Sequence, residues 1–392
     1  KSTVETKTKI ESVKIYVDNS ASMGGYLDSD HVTEFKEILS DYVYKIDKKV
    51  GPVQVYFVND SLAGPVGAQG FSEQMAKNNI ADKDGYQLHD MIKHIINNRS
   101  GNEITIFVSD CILSYSNADV KRNPEINRIN ASTDLNGKIY ALFYDLKKSG
   151  ISTSIYAFKS KFFGTYYDYQ NNKTKINGEE RPFYVVVLGK KDILKSFEDN
   201  LDNNLSHKAV QVSRYGVTSD IISKYEYIPQ LTKCGFLLSN DGSDVKVENN
   251  MPFQVVIGID IKKLSDEVKD IQYLYDNLCV KVDGCSLSKS PEIRLTTEDE
   301  KKRIKGKNEY KKYESSTHIM VFDVNSVNTK EARINISLPD YKWYESWSCD
   351  YDKEYELMKG KTFALKYFVD GISEAYGEND KNLMNISITL IK

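Results

Sequence analysis

Asp18, Ser20 and Ser22 occupy alternate positions in VKIYVDNSASMGGYL, residues 13–27, and a second carboxylate, Asp110, closes the run ITIFVSD. Two carboxylates and two hydroxyls are hard oxygen donors, and such a set suits Mg²⁺ or Mn²⁺ rather than zinc. It leaves coordination positions for water and for an oxygen supplied by a partner. The same residue types also have a structural use, because Asp and Ser close strand-to-helix turns as Asx-turns and helix N-caps.

Other chemistries find little support. A haloacid-dehalogenase-type phosphatase needs a second Asp two residues after the first, and that position is Ser20. There is no Gly-x4-Gly-Lys-Ser/Thr phosphate loop and no Gly-x-Ser-x-Gly elbow. His89 and His94 are five residues apart, about 140° around a helix and off a common metal-binding face. His31, with Asp28 and Asp30, follows the motif closely enough to line its binding face, and solvated loop charge explains the stretch equally well. The five cysteines are too few and too scattered for a disulfide scaffold, and free thiols are expected throughout. If Asp283-Gly284 turns a two-residue hairpin, Cys279 and Cys285 are not opposed.

The acidic residues matter only if the chain brings them together. Residues 13–17 read as a strand, and Phe35, Ile38, Leu39, Tyr42, Val43 and Ile46 then form a helical stripe. Strands follow at 55–58 and 62–66, a helix through Leu88, Met91, Ile92 and Ile95, and a strand over 104–108. The pattern repeats with a helix through Leu135, Ile139 and Phe143 closed by Gly150, strands at 155–158 and 183–188, and a helix over 193–201. Apolar strands alternating with amphipathic helices predict a doubly wound, mostly parallel, Rossmann-like α/β domain over residues 10–205. In such sheets ligands collect beyond the carboxyl ends of the strands where strand order reverses. Asp18 and Asp110 would both sit there.

Residues 206–392 read instead as an antiparallel β-sandwich. Ile334, Ile336 and Leu338 alternate with polar residues, as do Met384, Ile386, Ile388 and Leu390. Less regular strands are expected over 253–259, 279–282, 319–324 and 363–369, and the charged run 297–315 reads as a solvated hairpin tip or loop. The aromatic run from Phe162 to Tyr169 predicts a β-hairpin extending the first domain and packing onto the second. Tyr341, Trp343, Tyr344 and Trp347 read as a plug at one end of the sandwich; exposed on a loop, they would form a stacking platform for a glycan.

The α/β half resembles the von Willebrand factor A fold and its metal-ion-dependent adhesion site. The family's Asp-x-Ser-x-Ser signature is matched by Asp18-Asn19-Ser20-Ala21-Ser22, and its later Asp, commonly preceded by Ser, by Ser109-Asp110. The resemblance implies metal-bridged capture of an acidic group on a partner protein, with no reaction catalysed. It also implies a Thr donor in a Gly-rich turn before a helix. Here that stretch is Asp84-Gly85-Tyr86, so the site is degenerate, with Asp84 or Tyr86 as the uncertain fifth ligand.

Composition narrows the partners. Lys+Arg 53 against Asp+Glu 56 gives a charge of −3, without the basic excess of a general nucleic-acid binder. No apolar run is long enough to span a membrane. Abundant Lys, Asn, Ile and Tyr point to an AT-rich, bacterial genome. The expectation is a non-catalytic, extracytoplasmic binding protein, secreted or surface-anchored, with any signal or anchor lying before Lys1. Its alternatives are a metal-dependent phosphate or sulfate ester hydrolase using the same carboxylates, and a structural subunit whose site is vestigial.

Overall fold

Val13, Ile15 and Val17 are fully buried along the first strand, β1 (Ser12–Asp18), in the interior of a seven-stranded sheet. The computed structural model describes residues 9–76, 80–82, 84–126, 128–201, 205–217, 220–232, 236–248 and 252–392. The chain divides into two units: Lys1–Thr218 with Lys342–Asn379, and Ser219–Tyr341 with Asp380–Lys392. A single boundary at 205/206 was expected. Instead, the segment 342–379 returns to the first unit.

In that unit β1 is followed by α1 (Glu34–Lys49), β2 (Val53–Val58), β3 (Leu62–Val66), α2 (Ala68–Met75), α3 (Leu88–Asn97) and β4 (Glu103–Ser109). Then come α4 (Asn117–Arg122), α5 (Arg128–Lys148), β5 (Ile151–Tyr167), β6 (Lys173–Lys190), α6 (Lys191–Leu201) and β7 (Gln211–Tyr215). The strand order is β3-β2-β1-β4-β6-β5-β7. β1 pairs in parallel with β2 on one side and β4 on the other, which makes its carboxyl end the point where strand order reverses. All pairings outside this central trio are antiparallel, so the sheet is mixed rather than mostly parallel. The reason is the β5–β6 hairpin: β6, the most apolar strand, returns beside β4, and its burial on both faces reflects its central place in the sheet rather than parallel pairing.

The expected hairpin extension is present, formed by the distal halves of β5 and β6 around a turn with Asn171 at φ 62. Its aromatics pack onto 342–379, within the first unit: Tyr169 stacks on Phe363 at 5.5 Å, and the Tyr166 hydroxyl donates to Asp352 at 2.7 Å. Trp343 and Tyr344 are buried on the first unit's sheet, not in a sandwich. The Trp343 indole donates to Ser213 at 2.8 Å and lies 6.4 Å from the Tyr184 ring. The strand expected over 363–369 is mostly helix, Leu365–Tyr376, because its apolar run continues at helical spacing through Ile372 and Ala375. This helix approaches α5 so closely that a Cβ on Gly371 would lie 2.8 Å from the Asn136 carbonyl oxygen.

The second unit holds two five-stranded sheets. Cys279–Asp283, Glu331–Pro339 and Asn382–Ile391 pair antiparallel in one, and Cys285–Leu287, His318–Val327 and Phe253–Ile259 in the other. Ile257, Phe322, Ile334 and Ile388, from both sheets, join a single buried cluster. Gly284 separates strands of different sheets, so Asp283-Gly284 is not a hairpin turn. Cys111, Cys279, Cys285 and Cys349 are free thiols, and Cys234 lies outside the described residues. The charged run 297–315 is not a bare loop. It forms helices Glu298–Ile304 and Tyr310–Glu314, with Ile304 and Tyr313 buried, and the Thr297 hydroxyl caps the first by accepting the Glu300 amide.

Trp343→Ala removes a ring buried on the sheet together with its hydrogen bond. It should lower the stability of the first unit by about 3–5 kcal/mol, read as a fall in urea midpoint at unchanged slope.

Candidate functional site

β1 ends by burying Asp18, and the next residues fold over it. Asp18 Oδ1 accepts the Ser20 amide at 2.9 Å, and Oδ2 accepts the Ser109 hydroxyl from the end of β4 at 2.7 Å. The turn of 3₁₀ helix at Ala21–Met23 brings the Ser20 and Ser22 hydroxyls to 3.2 Å from each other. The Ala21 amide donates to the Asp84 carbonyl at 2.8 Å, tying the motif to the loop before α3.

Asp110 arrives from the neighbouring strand. Cys111 takes a left-handed backbone, φ 52, which is uncommon for a side chain other than glycine and marks a tightly determined turn. In this turn the Cys111 amide donates to the Ser109 hydroxyl at 2.9 Å and the Ile112 amide to Asp110 Oδ1 at 3.2 Å. Asp110 Oδ2 is buried without a hydrogen-bond partner. Asp18 is 1% exposed and Asp110 2%, whereas Ser22 is only half-buried and marks the open side of the cluster.

Two carboxylates this deep oppose each other's ionisation. Burial pushes Asp18 up to about 7, with the Asp110 charge adding to the effect and the Ser109 and Ser20 bonds opposing it. Asp110 is also raised by burial, against the pull of the Ser22 hydroxyl, the Ile112 amide and the Arg181 charge. Arg181 is itself buried. Its guanidinium lies 4.4 Å from the Tyr166 ring centroid, Nη2 donates to the Lys361 carbonyl at 3.2 Å, and Nη1 has no partner. The Cys111 thiol beside the pair is held protonated by burial, and so offers no activated nucleophile.

The sequence-derived residues therefore separate into two groups. Asp18, Ser20, Ser22 and Asp110 converge. Asp84 Oδ1 is engaged by the amides of Gly85 and Asn117, at 2.9 and 2.8 Å, so it acts as a brace between loops. Tyr86 turns its hydroxyl away to Asp82 Oδ2, at 3.1 Å. His89 contacts Asp90 while His94 is exposed, so the two imidazoles do not form a site. His31 is stacked on Phe163, 3.8 Å between ring centroids, and bonds Asp28. Arg181 went unnoticed in the sequence; its only signal is a cation two residues before the apolar run 183–188 within β6.

The four converging residues offer oxygen atoms only, one of them a buried acceptor without a partner, and burial favours the protonated form of both carboxyls. Among the described residues no group of three or more His, Cys, Asp and Glu side chains could hold a metal, so a hard cation would depend on hydroxyl and solvent oxygens as well. No family profile, no curated protein and no solved structure matches the chain.

The raised Asp18 pKa fixes a sign. Between its unfolded value near 3.8 and its folded value of about 7, the folded state binds the extra proton. Stability from this group is full below the lower value and is lost as pH rises through the upper one. In EDTA, wild type should lose up to about 1.4 kcal/mol per pH unit across that window relative to Asp18→Asn, then run parallel to it. Urea unfolding at stepped pH measures the difference.

Proposed function

We propose that the first unit is a von Willebrand factor A-like, non-catalytic binding domain. Asp18, Ser20, Ser22 and Asp110 would hold Mg²⁺ or Mn²⁺, and an acidic group of a partner protein would complete the site. The observation that carries this reading is the unpartnered Oδ2 of Asp110, buried beside Asp18. When bound, the ion supplies positive charge and Lewis acidity toward an incoming carboxylate. The protein's own part is to hold the donors: Ser109 and the Ser20 amide orient Asp18, the Ile112 amide orients Asp110, and half-buried Ser22 faces the entrance. Asp84 and Tyr86 brace the surrounding loops. The second unit, with two sheets sharing one core cluster, is proposed as a β-sandwich-like spacer or second binding module. No helix among the described residues is long and apolar enough to cross a membrane. An extracytoplasmic location remains part of the proposal.

Burial of both carboxylates supports a second reading, a structural subunit whose vestigial site holds a shared proton. For a hydrolase using the same carboxylates, the Cys111 thiol beside them is held protonated by burial and is no ready nucleophile.

Calorimetric titration with Mn²⁺ separates these readings. The proposal expects saturable one-site binding that weakens at least about tenfold, or roughly 1.4 kcal/mol, in Asp110→Asn. Asp18→Asn should act in the same direction, with no phosphatase or sulfatase turnover in any form. Absence of binding by wild type supports the vestigial site instead.

A further inference from the structure

Tyr86 is where the motif departs from the family pattern, and its hydroxyl points away from the carboxylate pair. It lines a cleft of about 300 Å³ at the carboxyl edge of the sheet, between Asn59 and Asp60 after β2 and the exposed side of α3. The walls are fixed in advance. The Asp82 carboxylate accepts from Asn59 Nδ2 and from the Tyr86 hydroxyl, each at 3.1 Å, so one residue locks the two loops together. Asn59 Oδ1 in turn accepts the amide and hydroxyl of Ser61. Among the described residues, the side chains of Asp60, Gln87 and Asn97 line this cleft without making a hydrogen bond.

The unused groups define the ligand. Carboxamides present a donor and an acceptor a fixed distance apart, complementary to neighbouring hydroxyls, and a carboxylate accepts from a hydroxyl. A tyrosine ring offers a flat apolar surface to the C–H face of a pyranose. Lys93 and His94 are the cleft's basic side chains, set against Asp60 and Asp90, and this balance does not favour a phosphate. Among the described residues, the rings of Tyr86 and His94 are its aromatic groups and no aliphatic side chain of a Leu, Ile, Val or Met lines it, too little apolar surface for a lipid or a large aromatic ligand. The volume lies at the small end of ligand pockets, about 300–1,000 Å³. We propose that this cleft binds one neutral hexose unit of a glycan, with Asn97, Gln87 and Asp60 reading its hydroxyls against Tyr86.

This site needs no metal, so its test is run on the full chain in EDTA and stands apart from the cation reading. Saturation-transfer NMR with methyl α-glucoside, methyl α-galactoside and methyl α-mannoside should show transfer to at least one, with Kd on the order of 1 mM. Asn97→Ala and Asp60→Ala, both at exposed positions, should each weaken that sugar at least about tenfold while leaving the urea midpoint unchanged. Absence of transfer to all three sugars overturns the proposal, and so does binding that keeps its wild-type strength in both variants.

Discussion

Two carboxylates share one dry end of a β-sheet, and much of the surrounding architecture acts to make that tolerable. Taking a single ion out of water costs several kcal/mol after relaxation, and two of like sign cost more. The chain offsets this with Ser109 and the Ser20 amide on Asp18, the Ile112 amide on Asp110, and the buried charge of Arg181 nearby. The compensation is incomplete, since one Asp110 oxygen remains without a partner. Unsatisfied buried polar groups of this kind concentrate where proteins bind or react.

Arg181 carries the influence of this end of the sheet outward. It enters β6 among the rings of Phe162, Tyr166 and Tyr355, whose faces attract a cation. Tyr166 also bonds Asp352, which burial raises to about 6. The Leu113 amide, beyond Asp110, donates to the Phe363 carbonyl at 3.4 Å. The segment 342–379 therefore packs against the stretch that follows Asp110.

The sequence revealed what is local. Alternation and helical spacing located β1, α1, β2, α3 and β4, and the alternate oxygens of Asp18, Ser20 and Ser22 were legible because a short turn fixes their relation. Strand direction was not legible, because β6 is apolar on both faces whichever way it runs. Nor was the return of 342–379, which depends on contacts such as Trp343 to Ser213, 130 residues apart. The helices within 297–315 did carry a signal, Thr297 followed three residues later by Glu300, which the density of charge obscured. Tyr86 was visible as a departure from the pattern, but only the structure shows where its hydroxyl goes.

Because Lys342–Asn379 belongs with Lys1–Thr218 and Asp380–Lys392 with Ser219–Tyr341, the chain passes between the two units three times. The two flanks of Lys342–Asn379 are joined to each other, where the Asp340 amide donates to the Lys381 carbonyl at 3.0 Å. During vectorial synthesis the ribosome releases the acidic end of the sheet long before the segment that packs beside it. Until Lys342–Asn379 emerges, the nascent chain carries β6 and β7 with the resting place of Trp343 open to solvent, and the second unit in turn waits for Asp380–Lys392, so neither unit is complete before the chain has returned to it.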